Sequence, residues 1–133
     1  MLYESTRGKT QPVSSAEAIK MGIAPDGGLF VPCQQIKFTP DQLTHLVGLS
    51  YREQALAILS LYLTDFTKSE LQECVNWAYH ADKFDHPHIA PLFRLNDSIH
   101  FLELWHGPTC AFKDMALQLL PRLLTTSMKK TGE

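Results

Sequence analysis

The stretch His106-Gly107-Pro108-Thr109-Cys110-Ala111-Phe112-Lys113-Asp114 decides how the chain is read. It follows Ser98-Ile99-His100-Phe101-Leu102-Glu103-Leu104, a run with the β-branched and aromatic content of a strand. It precedes Met115, Leu117, Leu119, Leu120, Leu123 and Leu124, spaced as the apolar stripe of one long amphipathic helix. The spacing predicts that this helix begins near Phe112 or Lys113 and stops at Gly132, with Lys129 and Lys130 favouring its negative end. Lys113 then stands at a helix N-terminus, where the dipole disfavours an ammonium. A lysine with a lowered pKa is the nucleophilic amine that a Schiff base with an aldehyde requires. Gly107 and Pro108 allow an abrupt turn, and Thr109, Cys110 and Ala111 leave room beside the amine. A lysine in the first turn of a helix is also ordinarily solvated and inert, and spacing alone leaves both readings open.

Upstream, Pro91-Leu92-Phe93-Arg94-Leu95 and the Ser98–Leu104 run flank Asn96-Asp97, which reads as a hairpin. Residues 84–91, with Pro87 and Pro91, read as an irregular linker. Before the linker come four capping boxes, each a hydroxyl followed three residues later by Glu or Gln: Ser14/Glu17, Thr39/Gln42, Ser50/Glu53 and Thr67/Glu70. The first predicts a short helix from about Ser15 to Met21, ended by Gly22. The others open helices whose apolar residues recur at helical spacing: Leu43, Leu46 and Val47; Ala55, Leu56, Leu59 and Leu63; Leu71, Cys74, Val75, Ala78 and Tyr79. Each of these faces reads as core. Pro25-Asp26-Gly27-Gly28 is a tight turn, and Leu29-Phe30-Val31 a short strand stopped by Pro32.

The bulk composition excludes several classes. A chain of 133 residues suits one ordinary domain, or a small domain plus part of another. With 44% hydrophobic and 20% charged residues it can form a packed core, so disorder is not expected. The net charge is -2 and the basic residues are scattered, which argues against nucleic acid. No apolar run approaches the roughly 20 residues of a membrane span, and Met1-Leu2-Tyr3-Glu4 lacks the basic-then-apolar form of a secretory signal. Cys33, Cys74 and Cys110 are odd in number and far apart, with neither zinc spacing nor a disulfide framework. They read as small buried apolar residues of a cytoplasmic protein with reduced thiols. His86 and His88 bracket Pro87, but two histidines alone do not make a metal site, and none is expected.

The final strand, loop and helix form half of a βαβ unit, which leaves one side of the strand unpaired. The expectation is that the sequence continues into further elements. A hairpin packed on helices and ending here is the alternative.

Residues 106–114 resemble the lysine loop of the threonine synthases, in which HGPT, a variable residue and AFKD surround the lysine that carries pyridoxal phosphate (PLP). Leu102-Glu103-Leu104-Trp105 is similar to the strand entering that loop, and Met115-Ala116-Leu117-Gln118 to its continuing helix. Ser5-Thr6-Arg7-Gly8 resembles the family's opening STRG. Ala24-Pro25-Asp26-Gly27-Gly28-Leu29-Phe30-Val31-Pro32 resembles its APDGGLFVP signature. The three matches stand in family order and between them reach across nearly the whole chain. Cys110 occupies a position often apolar or small in the family.

The resemblance implies the tryptophan-synthase-β-like fold class. Residues 1–80 would form an α+β N-terminal domain, mostly helical with short strands. Residues 81–133 would begin an α/β PLP-binding domain, truncated here. Lys113 would hold the cofactor and, once freed by substrate, shuttle a proton between the α and β carbons of O-phosphohomoserine, which reacts with water to give threonine and phosphate. Thr109 would contact the cofactor and His106 the substrate, unless they only shape the loop. Arg7 would hold a phosphate, unless it forms an ion pair anchoring the N-terminus. Asp26, Gly27 and Gly28 would be structural. The family's phosphate cradle, pyridine-nitrogen partner and carboxylate-binding residues lie downstream. The expected partner is therefore the remainder of the same polypeptide, with neither nucleic acid nor membrane, and the isolated piece is expected to be inactive. Two alternatives remain: a threonine synthase-like phospho-lyase, or a free-standing small domain that binds a partner through an exposed strand edge.

Overall fold

The computed structural model describes residues 1–132. All four capping boxes form. Ser14 caps helix α1 (Ser15–Met21), Thr39 caps α2 (Pro40–Val47), Ser50 caps α3 (Tyr51–Tyr62) and Thr67 caps α4 (Lys68–Ala78). In each, the hydroxyl accepts the third helical N–H while the Glu or Gln accepts the cap's own N–H, so two orphan donors are satisfied at once. Gly22 ends α1 at φ 70°, a conformation that a side chain would strain.

A strand not foreseen from the sequence, β1 (Tyr3–Ser5), pairs antiparallel with β2 (Phe30–Pro32), with Tyr3 opposite Pro32 and Ser5 opposite Phe30. A proline is tolerated because β2 has no other neighbouring strand among the described residues. The later hairpin also forms, shorter than expected: β3 (Leu92–Arg94) and β4 (His100–Leu102), with Phe93 opposite Phe101. Asn96 stabilises its loop by accepting the N–H groups of Ser98 and Ile99.

The long helix expected after Lys113 is broken. It is replaced by α5 (Asp114–Leu117), a single turn, and α6 (Leu120–Thr131). Pro121 is the cause: in a continuous helix it would leave the carbonyl of Leu117 without its donor and crowd that turn. It sits instead at the start of α6, where a missing N–H costs nothing.

One core serves the fold. Leu71, Cys74, Val75 and Ala78 of α4 are buried with Leu63, Phe66, Phe84, Ile89, Leu119 and Leu123. It therefore draws on both sides of residue 80, with α6 lying along α1 and α4. The linker contributes two of its members, Phe84 and Ile89, so it is irregular but not loose. Two expectations about burial fail. The apolar face of α2 is not core: Leu43 is exposed and Val47 is 81% exposed, because nothing among the described residues covers them. Cys74 is buried, but Cys33 and Cys110 are exposed thiols on irregular segments. Among the described residues no helix is long and apolar enough to cross a membrane.

Candidate cofactor-lysine site

Lys113 occupies the position before α5, in right-handed helical conformation, and its carbonyl accepts the N–H of Leu117 at 2.8 Å. Because α5 is a single turn, Lys113 does not stand at the start of the long helix that the sequence suggested. Lys113, an exposed residue, lines a recess of about 660 Å³ between the hairpin, the lysine loop and α3. Apart from Lys113, its polar side chains are Tyr51 and Gln54; Leu102, Leu104, Phe112 and Met115 provide much of the rest. Among the described residues no carboxylate pairs with Lys113. An unpaired amine on an apolar bed fits a planar aromatic aldehyde such as PLP.

The loop that presents Lys113 is held at both ends. Downstream, Asp114 is 1% exposed, and one of its oxygens accepts both the N–H and the hydroxyl of Thr109, at 2.8 and 2.9 Å. Burial pushes this carboxyl up, but the Thr109 donors, aided by Gln118 and Ala111, outweigh burial and hold it below its ordinary value. Gly107 makes room for it: a Cβ there would lie 2.5 Å from the Cβ of Asp114. Cys110 adopts φ 55°, uncommon for a residue with a side chain, as the turn closes with its N–H on the Gly107 carbonyl.

Upstream, His106 is gripped by two carboxylates. Its Nε2 lies 2.7 Å from Glu103 and its Nδ1 2.6 Å from Asp85 in the linker. The bond to Glu103, then that to Asp85, raise its pKa above the usual histidine value. Both ring nitrogens are thereby engaged, and so are both donors of Thr109. Neither side chain lines the recess.

Arg7 is far along the sequence from this loop and does not line the recess either. Its Nη1 donates to the carbonyl of Asp26 at 3.0 Å, folding the guanidinium over the Asp26–Gly27 turn. The Asp26 carboxylate is occupied elsewhere, by Ser5, Lys9 and Gly28. The anchoring that the sequence suggested thus exists through a carbonyl instead of an ion pair.

Sequence reasoning missed Tyr51, Gln54 and Asp85. The first two had a signal: three residues apart after the Ser50 cap, they share a face of α3. Asp85 had none, since its contact with His106 spans 21 residues through irregular chain.

The pairing of box-capped helices, a strand pair closed around Asp26, and a lysine loop on an apolar recess is the architecture of the amino-terminal part of a PLP enzyme of known structure. The fold matches PLP-bound threonine synthase from Brucella melitensis with a TM-score of 0.92 and 38% identity, covering all of this chain and 28% of that one. Yeast threonine synthase matches at 0.88 with 34% identity, over 98% of this chain and 27% of that one. Residues 2–79 match the family described as the threonine synthase N terminus, and the chain belongs to that family. Threonine synthases of Methylobacillus glycogenes and Pseudomonas aeruginosa are each 39% identical over the full chain, which spans only 30% and 28% of their lengths.

Proposed function

We propose that this chain is the amino-terminal portion of a threonine synthase, a PLP-dependent lyase of threonine biosynthesis that converts O-phosphohomoserine and water to threonine and phosphate. In this reading residues 1–80 are the N-terminal domain and residues 81–133 begin the PLP-binding domain, completed by the remainder of the same polypeptide. The observation that carries it is the unpaired amine of Lys113 on an apolar recess, within a chain that aligns end to end with a PLP-bound relative. The apolar hairpin adds support. Phe93, Phe101, Leu92 and Leu102 are each at least half exposed, as expected of strands that more of the polypeptide covers.

When bound, PLP supplies an electron sink for negative charge on substrate carbon. Lys113 Nζ would hold this group and, when the amine is free, would move a proton between the substrate's α and β carbons. Leu102, Leu104 and Phe112 line the recess beside Lys113 and would offer an apolar surface to the ring. Thr109 and His106 act on cofactor and substrate through the loop they hold, Thr109 by its bonds to Asp114 and His106 by its contacts with Glu103 and Asp85. Arg7 anchors the turn at Asp26 with one N–H, leaving others for the substrate phosphate.

Two variants of the complete polypeptide test this. Lys113→Ala should abolish threonine formation while the fold persists, and retained turnover would reject the assignment. Arg7→Ala should raise the KM for O-phosphohomoserine severalfold, beyond any small drop in thermal midpoint from the lost Asp26 contact; unchanged kinetics would leave Arg7 an anchor alone. The isolated chain should form no threonine. A second reading draws on a mouse relative named threonine synthase-like 2, 33% identical over 98% of the chain. It makes the complete protein a phospho-lyase that releases phosphate without making threonine, and product analysis separates the two.

A further inference from the structure

We propose that Asp114 is a positioning residue for the Lys113 amine, acting through Thr109. The inference rests on the reading of Lys113 as the cofactor lysine. The argument begins with a cost. A carboxylate removed from water is unfavourable unless it is well hydrogen-bonded, yet Asp114 is 1% exposed inside a loop whose neighbours are mostly exposed. A surface aspartate would serve equally well to start a short helix, so burial here needs a reason beyond helix chemistry.

Two consequences follow from the geometry. The first is direction. Successive side chains on a helical turn point about 100° apart. Tying the Asp114 carboxylate back to Thr109, in the space that Gly107 leaves open, turns Lys113 away from the loop and toward the recess. The second is charge. An aspartate next to a nucleophilic amine would, if free, pair with it and hold it as an ammonium. Thr109 holds one carboxylate oxygen with two donors while the other is buried without a hydrogen-bond partner, and Lys113 is left without a carboxylate partner among the described residues. The same pair of bonds therefore aims the amine and keeps it free to react.

The test uses the complete polypeptide freed of cofactor, with PLP as the probe, and reads modification of each lysine. The protein is exposed briefly to PLP, the imine is reduced with borohydride, and peptide mass spectrometry gives the modified fraction at Lys113 relative to exposed Lys9, Lys37 and Lys68. Thermal midpoints are measured alongside. In the unsubstituted protein Lys113 should lead the others. Asp114→Ala should cut that lead by about tenfold to a hundredfold, the upper end being the scale for a reacting group misplaced by about an ångström. Thr109→Val should cut it in the same direction, and Thr109→Ser, which keeps both donors, should retain it. A general loss of structure would raise modification at all lysines together and leave no selective change. Should Asp114→Ala not fold, Thr109→Val carries the test, since Thr109 is exposed and the exchange is nearly isosteric. A lead that survives in folded Asp114→Ala and Thr109→Val overturns the positioning role alone. No lead in the unsubstituted protein overturns the reading of Lys113 itself, and the positioning role with it.

Discussion

The hydroxyl of Ser5 donates to a carboxylate oxygen of Asp26 at 2.6 Å, so two motifs 21 residues apart close on one another. The same carboxylate accepts the N–H groups of Lys9 and Gly28 at 3.0 and 2.9 Å. Gly28 is required there, because a Cβ would fall 2.1 Å from the Ser5 hydroxyl. The opening STRG-like segment and the APDGG-like turn are thus one structure, with a buried serine and a carboxylate at its centre.

This knot predicts an acid limb of stability. The Ser5 hydroxyl, then the N–H donors of Gly28 and Lys9, hold the Asp26 carboxyl down to about 2, against an ordinary 3.8. A depressed folded-state value stabilises the fold above the unfolded value, and that stability is lost as pH falls from about 3.8 toward 2. Thermal midpoints recorded across that window should fall less steeply in Asp26→Asn and Ser5→Ala than in the parent. Parallel slopes in all three would remove Asp26 as the cause.

His106 predicts the opposite limb. Its pKa is raised, by Glu103 first and Asp85 second, so the clamp is fully present below the ordinary histidine value of 6.5 and is lost as pH rises through the folded value. The imidazole should titrate above 6.5 by NMR, and substitution of Glu103 by Gln should lower it more than substitution of Asp85 by Asn. A titration at or below 6.5 would mean that the two contacts do not hold an imidazolium.

Core position and amphipathic pattern give a third prediction. Val75 is fully buried and Val47 is 81% exposed, although both sit on helices with similar apolar spacing. Val75→Ala should cost about 1–3 kcal/mol from lost burial and the cavity left behind. Val47→Ala should stay within about 0.5 kcal/mol. Urea midpoints measure both, and equal losses would show that the α2 face is covered in solution.

Much of the fold was legible because its signals are local. The four boxes place each helix start at the residue where the structure has it, since a hydroxyl and an acid or amide three residues apart satisfy the same donors wherever they occur. What escaped depends on partners distant in sequence. Strand β1 has three residues and no β-branched side chain, and it exists because β2 returns beside it. Burial of α4 but not α2 follows from where α6 docks, which the periodicity of either helix does not contain. Pro121 was a local signal overlooked beneath a strong apolar stripe. At the site, Lys113 was legible from its loop, whereas the engagement of His106 by Asp85 and the recess wall from α3 required the chain to be folded.

Tyr79 supplies the last prediction, because it joins the end of α4 to the turn that follows Lys113. Its hydroxyl donates to the carbonyl of Met115 at 2.7 Å, and its ring packs edge-on against Tyr51, 4.9 Å away, at the wall of the recess. In an unbroken helix that carbonyl would take the N–H of Leu119, but Leu119 bonds to Ala116 instead as the chain turns toward Pro121. The tyrosine therefore satisfies an acceptor that the helix break sets free. Tyr79→Phe keeps the ring and removes the donor, so it should cost about 1–3 kcal/mol, the range for a buried polar group left unpaired. Amide hydrogen exchange should rise across α5 and at Leu119 while the interior of α4 stays protected. Equal exchange in parent and variant would show that Pro121 and the core hold the break without help from the hydroxyl.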